Sequence, residues 1–177
     1  MESTAAQSAM SGWLGSLGKS GVIDGEPDGD AVAAFVVGQA QLGELRRYLT
    51  SAAPDVRDRE RRAAIEVCIW MVHADRKVDP EEAHLLSCII GASGLSEDVQ
   101  DELVLATHDP PSLEGLETRL THPVLRELLL ALSWEIAAAD GSVAREERDF
   151  YTGLSKRLGV SAARAAEIQR AIAERIG

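Results

Sequence analysis

The chain has 177 residues, a formal charge of −11 and a pI near 4.8; 45% of its residues are hydrophobic but only 4% are aromatic. That length suits one domain with a buried core. The acidic balance argues against a nucleic-acid partner, which needs a basic face, and an Ala- and Leu-rich composition poor in aromatic runs favours helices over strands.

Residues 1–29 differ from the rest. Gly12, Gly15, Gly18 and Gly21 recur at every third position, which disfavours a stable helix. Trp13, Leu14 and Leu17 give this tail some apolar character for docking on the body or on a partner. It ends in the acidic run Asp24 to Asp30, a solvated linker by composition. That run imitates the start of a calcium loop, but Phe35 stands where the loop needs a bidentate Glu. Gly18-Lys19-Ser20 has neither the spacing nor the leading strand of a phosphate-binding loop. Met1 to Ser11 lacks the basic start and apolar run of a secretory signal. The longest apolar stretch, Leu128 to Leu132, is too short to span a bilayer. The expected place is the cytosol.

From Asp30 the apolar residues follow the 3.6-residue period. The pattern predicts a helix from Asp30 to about Thr50, then a break at Pro54 and a helix over about 56–74 with Ile65, Cys68, Ile69 and Val72 on one stripe. Asp79 as cap, Pro80 in first position and Glu82 three residues past the cap mark the next helix start. That helix ends near Gly91 to Gly94, and Ser96 starts another. After Pro110 and Pro111 comes a short segment around Leu113 to Leu120. Thr121 then begins the most apolar helix, about 122–139, expected at the centre. Helices at about 145–158 and from Ser161 to the end complete an all-α, single-domain bundle of about seven to eight helices spanning 30–177. Cys68 and Cys88 lie in apolar segments without metal or redox spacing and read as reduced core thiols. Trp70 and Trp134 read as core or pocket wall, with a partner surface as the sharper alternative.

Two stretches match at an offset of 65 residues. Ala74-Asp75-Arg76-Lys77-Val78-Asp79-Pro80-Glu81-Glu82 aligns with Ala139-Asp140-Gly141-Ser142-Val143-Ala144-Arg145-Glu146-Glu147, and Gly94 and Ser96 fall on Gly159 and Ser161. The expectation is an internal duplicated helix-turn-helix, with copies at about 58–107 and 122–176, packed about a pseudo-twofold axis. The Ala-Asp-Gly-x-Val-x-x-x-Glu pattern after an apolar helix, present twice, resembles the TerB-like family, which includes the tellurite-resistance protein TerB and the central region of a membrane-anchored DnaJ-type co-chaperone. The resemblance covers about residues 58–170. It implies an all-α bundle whose acidic residues converge on one face to bind a divalent cation or another ligand, in a stress-response protein that recruits a protein partner and is no enzyme. It leaves room for a peripheral association with a membrane protein. The positions carried over are Asp75, Glu82, Asp140 and Glu147, with Glu81 and Glu146 as weaker additions. Arg76 departs from the pattern: its cation sits where a metal would, and its side chain is penalised in a turn that favours Gly, so the second copy is the better half-site.

The same carboxylates have a structural explanation. Glu82 completes a capping box with Asp79, Asp75 can close the turn, and Glu147 can reach the backbone amide of Ala144. If a metal binds, oxygen ligands select Ca²⁺, Mg²⁺ or Mn²⁺. The alternative is a purely structural helical adaptor whose acids are helix caps. A metal-dependent hydrolase is the weakest reading, since no base, nucleophile or lid accompanies the acids. His73, His84, His108 and His122 do not recur between the copies.

Overall fold

The computed structural model describes residues 36–78, 80–138 and 141–176, apart from a few side chains within helices. Eight helices, and no strand, occur among the described residues. They are α1 (Gln39–Ser51), α2 (Pro54–His73), α3 (Pro80–Ala92), α4 (Glu97–Ala106), α5 (Leu116–Arg119), α6 (Pro123–Ala137), α7 (Arg145–Arg157) and α8 (Ala162–Ile176). The all-α single-domain bundle expected from the apolar period is the observed architecture. None of the described helices is long and apolar enough to cross a membrane.

The helix limits follow local chemistry. Pro54 takes the first position of α2, where its missing N–H would have had no partner anyway. Ser161 caps α8 as predicted, its Oγ accepting the Arg164 N–H at 3.1 Å. At α6 the expectation is corrected. His122 is the cap, its Nδ1 accepting the Val124 N–H at 3.2 Å. Thr121 instead turns back to α2, donating its N–H and hydroxyl to the Glu60 carboxylate. Burial holds the His122 imidazole below its ordinary pKa, against the opposing pull of Glu60 and Glu44. A second correction falls on the first helix. Residues 36–37 are helical, but Gly38 at φ 92° leaves the helical region, so α1 starts at Gln39. The part of that prediction before residue 36, the tail and the acidic run lie outside the described residues.

The centre is built on two helices rather than one. α6 packs against α1, α2, α3, α7 and α8, while α2 packs against α3 to α7. Leu125, Leu128, Leu129 and Leu132 of α6 meet Ile65, Cys68, Ile69 and Val72 of α2 in one continuous core. Burial raises the Cys68 thiol pKa and keeps it protonated. Cys88 is half-buried, with Sγ 3.8 Å from His84 Nε2. α2 is covered almost all round because the segment from Thr107 to Thr121 runs back along it, in the opposite direction. His73 Nε2 donates to Thr107 O, Trp70 Nε1 to Pro111 O, Arg119 to Glu66, and Thr121 to Glu60. Each step along this strap satisfies a polar group that burial would otherwise penalise. Arg126 then binds the carbonyls of Leu120, Leu158 and Glu117, tying the ends of α5 and α7 together. Arg164 joins Glu127 of α6 to the carbonyl of Val36.

Candidate acidic turns

Two turns carry the predicted acidic residues. The first follows α2. Asp75 is half-buried, and its Oδ1 accepts the Lys77 N–H at 2.9 Å, the turn an Asp forms with the amide two residues on. The second follows α6. Glu147, 3% exposed, accepts the Ala144 N–H on Oε2 at 2.7 Å. This is the half of a capping box that Ala144 leaves possible, since a methyl group cannot accept in return. Glu146 is exposed in the first turn of α7. Asp140 and Asp79 lie outside the described residues, as do the side chains of Glu81 and Glu82. Thus Asp75 and Glu147 are each held by a backbone amide of their own turn. Among the described residues no three His, Cys, Asp or Glu side chains are grouped so that they could hold a metal ion.

The two turns share backbone geometry at the 65-residue offset. The Arg76 N–H donates to His73 O, and the Gly141 N–H to Ala138 O, both at 3.0 Å. Arg76 takes φ 62° and Gly141 φ 89°, while Gly94 and Gly159 take φ 72° and 71°. Arg76 is the one described residue other than glycine with a positive φ. A side chain in that conformation costs about 1–2 kcal/mol, against about 0.4–1 kcal/mol of extra unfolded-chain entropy that a glycine would bring. Arg76→Gly should therefore stabilise the protein by about 0.5–1 kcal/mol. A higher urea midpoint at unchanged slope checks this; a lower midpoint would mean that the Arg76 side chain makes a compensating contact.

One acid in this half of the molecule stands apart. Glu135 lies on α6, just before the second turn and on the buried side of the helix. It is 6% exposed, and its Oε2 has no hydrogen-bond partner. Burial alone pushes its carboxyl up to about 8. It is absent from the predicted site, although the sequence carries a signal: Glu135 falls on the face of Leu128 and Leu132, where an acid breaks the apolar stripe. Trp70 and Trp134 are half-buried. Trp70 donates to Pro111 O, and Trp134 meets the Tyr151 ring edge-on at 5.1 Å.

No family model matches the chain, and neither a curated protein nor a solved structure matches it.

Proposed function

We propose that the protein is a non-catalytic, TerB-like binding module that recruits a protein partner, with its acidic turns acting as helix stops that keep one end of the bundle in shape. The observation that carries this reading is the Glu147 carboxylate, buried and committed to the Ala144 amide at the start of α7. Asp75 does similar work in the first turn. The reading includes a duplicated fold. In its support, α2–α3 contacts have their counterpart in α6–α7, α3–α4 in α7–α8, α2–α4 in α6–α8, and α2–α7 in α3–α6. Thr121, just before α6, lies beside Glu60 in the first half of α2, and α6 packs along α2 from there, which favours turns at the same end.

A second reading keeps the acidic turns as a site for Ca²⁺, Mg²⁺ or Mn²⁺, and Glu135 favours it. A buried carboxyl with an orphan oxygen, on the helix leading into the Asp140 turn, has the character of a ligand awaiting a cation. The two readings part on Glu147→Gln. As a cap, Glu147 contributes about 1 kcal/mol; Gln keeps an acceptor oxygen and loses only the charge, so the variant should lose at most that much, equally with or without added cation. As a ligand, it should support a rise in melting temperature on adding Ca²⁺, Mg²⁺ or Mn²⁺ that the variant loses. Thermal unfolding of metal-stripped protein, with and without each ion, decides between them. A cytoplasmic stress-response role belongs to the same proposal.

A further inference from the structure

We infer that the outward face of α4 is a docking surface for a basic, amphipathic helical segment of a partner protein. This rests on the reading of the chain as a partner-binding module and adds the surface and the chemistry of the partner. Among the described residues only three large apolar side chains are exposed: Val78 at 49%, Val104 at 48% and Leu105 at 71%. They gather at one end of the molecule. Val104 and Leu105 form the last turn of α4, and His73, bonded to Thr107 O, ties that turn to the end of α2 from which Val78 follows. Single exposed apolar residues are ordinary on a protein surface; the concentration of all three at one end is not.

The fold does not demand these residues. At the 65-residue offset Val143 packs against the core where Val78 is exposed, and Gln169 and Arg170 of α8 stand where α4 has Val104 and Leu105. Leu103 and Val99 already supply the inward face of α4.

Charge identifies the occupant. At about 100° per residue, Leu105 lies within about 60° of Asp98, Asp101 and Glu102 around the helix. Glu97, Asp98, Asp101 and Glu102 are all exposed, and α4 contains no basic residue. Arg62 of α2 pairs with Glu102 at 2.9 Å; Arg76 and Lys77 are exposed on the neighbouring turn. An apolar centre framed by carboxylates fits a helix that presents Leu or Ile flanked by Lys or Arg. The same carboxylates would repel an anionic lipid surface.

The test titrates the full-length chain with a synthetic amphipathic peptide of Leu and Lys, and with the same peptide carrying Glu in place of Lys. Saturable micromolar binding of the Lys peptide alone is expected, weakened about tenfold by Leu105→Ser or Val104→Ser. Asp98→Asn/Asp101→Asn should weaken binding and flatten its dependence on salt. These positions are exposed, so each variant should stay folded and unfold cooperatively within a few degrees of the wild type. Lys-peptide binding that survives Leu105→Ser would overturn α4 as the surface while leaving the module reading in place. Failure to bind the Lys peptide, or equal binding of both peptides, would overturn the assignment of a basic partner. A concentration-dependent dimer dissolved by Leu105→Ser would give the face to a second copy, and binding to anionic vesicles lost in Leu105→Ser would give it to a membrane; either result overturns the proposal.

Discussion

Glu135→Met should raise the stability of the protein modestly at acid pH and by several kcal/mol at alkaline pH. The sign follows from the two states. In the unfolded chain Glu135 titrates near its ordinary value of 4.5; in the folded protein burial raises it to about 8. A carboxyl raised on folding contributes stability that is fully present below the unfolded value and is lost as the pH climbs through the folded one. Between those limits the folded state binds a proton that the unfolded state does not, and each pH unit removes about 1.4 kcal/mol. Across the window from 4.5 to about 8 the loss is about 3–5 kcal/mol, since among the described residues no hydrogen bond to Oε2 and no cationic neighbour offsets the burial. Met fills nearly the same volume without the carboxyl, so the variant gains about 1 kcal/mol at acid pH from removing an unpaired polar atom. Urea unfolding of both proteins at a series of pH values checks the difference, which cancels the opposite trend of His122. A gap of constant size from pH 5 to 9 would show that Glu135 is not the neutral buried acid described here. Repeating the series with Ca²⁺, Mg²⁺ or Mn²⁺ bears on the second reading: a cation held by Glu135 would flatten the wild-type slope and leave the variant unchanged.

What could be read in the sequence was local. Ser161 marks a helix start because a capping preference acts over three or four residues, whereas Pro54, expected as a break, takes the first position of α2. Glu147 could be assigned to the Ala144 amide for the same reason. The 3.6-residue period gave the fold class, since a helix must bury its apolar stripe whichever neighbour covers it. Legibility failed where the deciding partner is distant. Thr121 looks like a cap until Glu60, 61 residues earlier, takes its N–H. The apolar stripe of α2 shows one buried face; the strap from Thr107 to Thr121 covers its polar flank as well, and buries Glu60 and Glu66. Gly38 could equally have sat inside a helix; only its observed φ ends one there. The acidic quartet was legible as a pattern, and the turns hold the predicted geometry at Asp75 and Glu147.

That strap supplies the second large effect. Arg119→Met should destabilise the protein by about 2–3 kcal/mol, and adding Glu66→Gln should recover most of the loss. Glu66 is 5% exposed on α2, and Arg119, at the end of α5, reaches it across 53 residues of chain. Arg62 also approaches Glu66, at 3.4 Å, but its side chain is 41% exposed and it is shared with Glu102. Without Arg119 the Glu66 carboxylate stays buried with a weaker and partly hydrated counter-charge. Breaking a fully buried pair costs about 3–5 kcal/mol, and the remaining Arg62 contact lowers that figure. Removing the charge from both partners takes away the unpaired carboxylate as well as the attraction, so the double variant should lie closer to wild type than Arg119→Met alone. Urea midpoints for wild type, both single variants and the double variant close the cycle. If the two single losses simply add, Arg119 and Glu66 are not coupled; and if Arg119→Met costs little, the aliphatic stem that Met retains holds the strap and the ion pair is incidental.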